Sequence, residues 1–235
     1  HSDKDEGLFY SASIKTYGDT IHSFIDDTKY KGLWAPKFKK LTLPDIQISD
    51  SKLVLIDHVV GNVEWEKMDF WREYYENVFG FGTFVRFDDG DISTQYSALK
   101  SIVLRSKNWK IKLPINEPAE GLKKSQIEEY LEFNEGAGIQ HIAILTDDII
   151  TSIAHLKNNG VEFLDIPHTY YDDLIKRVGG IDEDVKRLKE LNILVDRDEY
   201  GYLLQIFTKP LQDRPTLFIE IIQRKRRPIG AQEGS

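Results

Sequence analysis

A chain of 235 residues, 40% hydrophobic and 30% charged, is long enough to bury a sizeable core and has the make-up of an ordinary globular protein. Its net charge of −8 argues against nucleic acid or an anionic membrane surface as the main partner. The absence of cysteine excludes disulfides, thiolate metal ligands and cysteine nucleophiles, which suits a reducing cytoplasm, and no apolar run approaches the ~18 residues of a membrane span. The only methionine is Met68 and the first residues are His1-Ser2-Asp3, so the chain is expected to be part of a longer one.

In chain order, residues 9–15 and 19–25 alternate around Tyr17-Gly18-Asp19 and predict a β-hairpin, which is marginal alone and is expected to complete a sheet begun elsewhere. Residues 30–46, with Gly32, Pro36 and Pro44, predict a linker. A strand is predicted over 53–60. A helix follows over 65–79, with Met68, Trp71, Tyr75 and Phe79 on one face, stopped by Gly80 and Gly82. Strands are then predicted over 83–87, 101–105 and 109–114, before a polar loop from Glu117 and a short helix over 124–133. The pattern repeats. A strand over 139–146 leads to a helix over 147–159, capped by Asp147 or Asp148 and stopped by Gly160, and to a strand over 161–164. A charged helical insertion over 170–191, broken at Gly179-Gly180, precedes strands over 193–198, 202–208 and 216–224. The basic cluster Arg224-Lys-Arg-Arg227 reads as a solvated tail.

Two tandem β-α-β-β-β modules, about 51–115 and 138–224, are the conclusion, within an organisation of 1–48 (hairpin and linker) and 49–235. Duplicated modules enclose one shared site. Glu220 lies in the apolar run Leu217-Phe-Ile-Glu-Ile-Ile222, where an unmet carboxylate would cost several kcal/mol. His58 and His141 occupy corresponding places on the first strands of the two modules, so pseudo-symmetry brings all three to one cleft. Two imidazoles and a carboxylate bind non-haem Fe(II) with positions left open, and the same set can hold Zn(II). Arg214 or Arg224 is the alternative partner for Glu220. His22, His155 and His168 are read as packing or surface histidines.

The stretches Asp57-His58-Val59, Leu113-Pro-Ile-Asn-Glu-Pro118, Lys124-Ser-Gln-Ile127, Asn134-Glu-Gly-Ala-Gly-Ile-Gln-His141, Ile193-Leu-Val-Asp-Arg-Asp198, Leu204-Gln-Ile-Phe-Thr-Lys-Pro210 and Asp213-Arg-Pro-Thr-Leu-Phe-Ile-Glu-Ile-Ile-Gln223 resemble the catalytic half of the 4-hydroxyphenylpyruvate dioxygenase family. The resemblance runs from about residue 14 to residue 224. It implies an α+β vicinal-oxygen-chelate fold forming an open barrel around a metal site, and an additional N-terminal domain of the same type to which the 9–25 hairpin would belong. It implies Fe(II) held by His58, His141 and Glu220, and conversion of 4-hydroxyphenylpyruvate and O2 to homogentisate and CO2 in tyrosine catabolism. Gln205 matches a glutamine near the keto-acid end; Gln126, Gln140, Ser101 and Asn116 match the polar group at the phenol end. Phe207 and Phe218 match aromatics that pack on the substrate ring. Homo-oligomers with no membrane or nucleic-acid partner are implied as well. The family continues through a Gly-rich segment into a C-terminal lid helix, whereas this sequence ends Gly230-Ala-Gln-Glu-Gly-Ser235, which leaves the lid residues unassigned. Rival readings are 4-hydroxymandelate synthase, which uses the same substrate, and a metal-free protein binding a small aromatic on the same fold.

Overall fold

In a computed structural model the chain divides into two compact units, His1–Ser49 and Asp50–Ser235. The structure describes residues 2–3, 6–41, 51–87, 98–121, 123–198 and 201–226. Pro44 and Ile46 of the expected linker, Arg227 of the basic cluster and the Gly230–Ser235 tail lie outside them.

The first unit is an antiparallel sheet of β1 (Ser2–Asp3), β2 (Gly7–Lys15) and β3 (Ile21–Tyr30), in that order. Its hairpin strands are longer than alternation predicted. A β-carbon on Gly7, which has φ 90°, would run into the Lys29 carbonyl, so glycine lets the strands stay paired to their far end.

The second unit opens with β4 (Leu53–Asn62), α1 (Met68–Phe79), β5 (Gly82–Phe87), β6 (Ala98–Arg105) and β7 (Lys112–Ala119). After α2 (Gln126–Phe133), it continues with β8 (Gly138–Thr146), α3 (Ile149–Asn158), a 3-10 turn at His168–Tyr171, α4 (Leu174–Val178), α5 (Val185–Leu191), β9 (Leu194–Asp198), β10 (Gly201–Phe207) and β11 (Phe218–Arg226). The eight strands form one mixed sheet, curled into a half-barrel, in the order β5-β6-β7-β4-β8-β11-β10-β9. Each module runs inward to its own first strand, and the two first strands, β4 and β8, pair antiparallel at the centre. Each first strand lies parallel to the last strand of its module, β4 to β7 and β8 to β11. That is the duplication expected from the sequence.

Strand alternation separates the two faces of the second half of the sheet. Leu204, Ile206 and Ile221 are buried with Ile149, Ile153 and Leu188 of the helices, so Gln205, Phe207 and Glu220, one residue out of step, face the cleft. Asp148, not Asp147, caps α3, accepting the Thr151 N–H at 3.1 Å.

Four elements differ from expectation. The helix α1 starts at Met68, because Glu66 has φ 60° and the Lys67 N–H closes a turn onto the Glu64 carbonyl. The strand predicted over 109–114 is β7, Lys112–Ala119. Trp109, at φ 62°, belongs to a tight turn, where the Arg105 guanidinium stacks 3.2 Å from its ring centre. Pro114 and Pro118 are accommodated in β7 because its ladder with β4 is confined to Gly61 and Asn62, so most of that edge needs no donor. The strand predicted over 161–164 is a single bridge between Phe163 and Thr208, and the 170–191 insertion is three short helical pieces.

Glu117, expected in a loop, is a buried β7 residue whose carboxylate accepts the Met68 N–H at 2.9 Å. The residue before α1, Lys67, provides no side-chain cap, so a strand 49 positions away in sequence does that work. Glu117→Ala is expected to destabilise the protein by about 2 kcal/mol, the cost of an orphaned buried donor, and Glu117→Gln by less; thermal melts of the two variants test the ordering.

Candidate metal centre

Strand register assembles the site. His58 on β4 pairs with Ala143 on β8, Ala143 with Glu220 on β11, and Glu220 with Phe207 on β10. Paired residues share a face, so His58, Ala143, Glu220 and Phe207 form one rung across four strands. The next rung carries Val60, His141 and Phe218. His58 Nε2 and His141 Nε2 each lie 3.2 Å from the same oxygen, Glu220 Oε2, and the imidazole centres are 5.7 Å apart. The three ligand atoms lie within 4.8 Å of one another.

The residue before each histidine holds its other nitrogen. The β4–β8 register slips between Ile56 and His58, making Asp57 the extra residue of a bulge, and again between Val60 and Gly61, where the extra residue on β8 is Gln140. A bulge puts two residues opposite one and re-aims their side chains. His58 Nδ1–H donates to Asp57 Oδ1 at 2.8 Å and His141 Nδ1–H to Gln140 Oε1 at 2.9 Å. Both Nε2 lone pairs are thereby left to the centre.

Burial alone would push the Glu220 carboxyl up, yet the hydrogen bonds and charge that His141 and His58 offer when protonated outweigh it and hold it at about 2. Burial would likewise push His58 down, but the hydrogen bonds and charges of Asp57 and Glu220 raise it. His141, facing a neutral amide in place of Asp57, is lowered by its burial. Three Lewis bases turned on one point and shielded from water are arranged to hold a cation, and a divalent metal ion fits the donor set.

Beside the centre is a cavity of about 440 Å³. Phe218 stacks on His141 at 4.8 Å, and Phe207 meets Phe218 edge-on at 5.8 Å, so these aromatics make a ring-sized wall. Asn116, Gln126 and Gln140 line the same cavity. Ser101 is buried opposite Asn116 in the β6–β7 register. Gln205 shares the face of Phe207, but its amide donates to Asp196 at 2.8 Å and is not part of the cavity wall. Arg224 does not pair with Glu220; it lies two rungs further along β11 and grips Asp57 at 2.6 Å. Arg214 reaches the Phe133 carbonyl instead. His155 bonds Asn159, one turn along α3, and His168 opens the 3-10 turn.

Two contributors escaped sequence reasoning. Asn62, fully buried, accepts a bond from Asn116 Nδ2 at 3.3 Å and so orients that amide, and its own Nδ2 has no partner among the described residues. An asparagine ending a run of apolar strand residues was the available signal. Asp57 stood in the sequence beside His58, but its role depends on a bulge that alternation cannot show.

Fold and site together define a paired-module protein with a candidate metal centre beside an aromatic-walled cleft. The chain belongs to the Glyoxalase/Bleomycin resistance protein/Dioxygenase superfamily, whose family model matches residues 55–206. It is 51% identical over 228 residues to 4-hydroxyphenylpyruvate dioxygenase of Aspergillus fumigatus, covering 94% of this chain and 57% of that protein. The protein of the same name from Yarrowia lipolytica is 49% identical, over 91% of this chain and 56% of its own length. The chain thus spans little more than half the length of these curated relatives. Among solved structures, a triple mutant of 4-hydroxymandelate synthase from Streptomyces coelicolor superposes with a TM-score of 0.73 at 33% identity, covering 92% of this chain and 61% of that one.

Proposed function

We propose that this chain is the catalytic part of an Fe(II)-dependent 4-hydroxyphenylpyruvate dioxygenase, which takes 4-hydroxyphenylpyruvate and O2 to homogentisate and CO2 in tyrosine catabolism. The observation that carries the reading is the meeting of His58, His141 and Glu220 within 4.8 Å beside an aromatic-walled cavity with neutral amides. Relatives about 50% identical under that name support it. Iron bound by His58, His141 and Glu220 would supply a template for the α-keto acid and dioxygen and the electrons they exchange.

The chain's own residues do the rest. Phe207 and Phe218 hold the substrate ring flat beside the centre, so that its substituted carbon is presented to it. Asn116, Gln126 and Gln140, with Ser101 behind them, hold the phenol hydroxyl by hydrogen bonds without adding charge to a desolvated pocket. Gln140 has a second task, since its carbonyl fixes His141. Gln205 serves the keto-acid end, oriented by Asp196. One oxygen atom of O2 ends in the new carboxylate and the other on the ring, with the side chain moved to the neighbouring carbon.

Residues 1–48 belong, in this reading, to the end of a preceding domain, with residues 49–235 the catalytic one. Small molecules are its partners, its setting is cytoplasmic, and it self-associates. No helix among the described residues is long and apolar enough to cross a membrane. Loading the protein anaerobically with Fe(II), adding 4-hydroxyphenylpyruvate and then O2, and separating the products is the test. Homogentisate is expected. 4-Hydroxymandelate would transfer the reading to the synthase, and ligand binding without product would leave a binding protein.

A further inference from the structure

The two histidines of the centre are held in unequal ways. Each follows a bulge residue that accepts its Nδ1–H, but for His141 that residue is a neutral amide and for His58 it is a carboxylate. Asp57 is 4% exposed, and two cations from two other strands meet it. Arg224 of β11 approaches at 2.6 Å through Nη2 and at 3.2 Å through Nε, and Lys112 at the start of β7 at 3.1 Å. No function described above uses this cluster.

We propose that Asp57 is a positioning residue for the metal centre: it locks His58 with Nδ1 protonated and Nε2 turned toward Glu220. A carboxylate is a strong acceptor, and it strengthens the electron donation of the imidazole it binds. Asp57 therefore orients the ring, and Arg224 and Lys112 each offset its buried charge. The centre then has one fixed, electron-rich ligand, His58, and one weaker ligand, His141, on the side of the aromatic cavity.

The inference rests on the metal reading of the site, and Co(II), a spectroscopic probe for such donor sets, tests the two separately. The unaltered protein should bind Co(II) and give visible d–d bands; no binding would overturn the metal reading and this proposal together. Asp57→Asn keeps the shape but can turn an NH2 toward His58, and its two neighbouring cations lose their counter-charge. Co(II) affinity should fall about 10- to 100-fold with a changed band pattern, while the metal-free protein keeps its secondary structure. Arg224→Gln removes a positive charge and leaves Asp57 on His58, so its Co(II) affinity should be unchanged or higher. A purely structural tie between strands predicts the reverse: both variants lose Co(II) binding in step with melting temperature. Asp57→Asn with unaltered affinity and spectrum would refute the role of Asp57. Should that variant fail to fold, weakened Co(II) binding by folded Arg224→Gln would refute it equally.

Discussion

Glu220→Gln is expected to abolish metal binding and turnover while leaving the fold in place. Glu220 supplies the only negative charge in the set, and both Nε2 atoms converge on its Oε2. The amide keeps the volume, and in the metal-free protein it still offers a hydrogen-bond partner to either imidazole. It cannot offset a divalent charge in a place that is 2% exposed. Outer partners of metal ligands already contribute about 10- to 100-fold to affinity, so losing the charged ligand itself should cost at least about 100-fold. Equilibrium dialysis with Fe(II) or Co(II), alongside a thermal melt of the metal-free protein, separates the two effects. A variant that binds within about threefold of the parent, on the same scale, would show that the histidines and Glu220 meet for structural reasons.

Much of this site could be read from the sequence because strands encode faces by alternation. An isolated carboxylate in Leu217-Phe-Ile-Glu-Ile-Ile222 had to be met by something, and two strand histidines at matching places in a duplicated pattern supplied it. What escaped depended on departures from alternation. Asp57 and Gln140 act through bulges, and a bulge is a property of two strands in register, which neither strand shows alone. Arg224 shares the face of Glu220 and was a reasonable partner for it, but the Asp57 bulge draws it away. Glu117 reads as the start of a polar loop, yet it continues β7, whose mostly unpaired β4 edge accommodates Pro114 and Pro118. Around Trp109 the opposite error arose: alternation in Trp109-Lys-Ile-Lys112 imitates a strand where the backbone turns left-handed. Local pattern thus located the ligands, while the groups that aim them came from pairing between distant strands.

The same register makes Ala143 the position where one small change should do the most damage. It stands between His58 and Glu220 on their rung, fully buried, with its β-carbon beneath the space into which both ligands reach. Neighbouring β-carbons on such a rung are about 4.5–5.5 Å apart, so a branched side chain here has nowhere to go except between the ligands. Ala143→Val is therefore expected to eliminate metal binding as completely as loss of Glu220, by occupying the site and not by removing a donor. The metal-free protein should lose only about 1–3 kcal/mol, the usual cost of overpacking. Ala143→Gly is the control: it adds no bulk, should keep the metal, and should lose about 0.5–1 kcal/mol through backbone freedom in a strand. Co(II) titration and denaturant melts of the pair give both quantities. If the valine variant bound metal like the parent, the ion could not lie between His58 and Glu220 above Ala143, and the centre would have to be placed on the His141 side, toward Phe218.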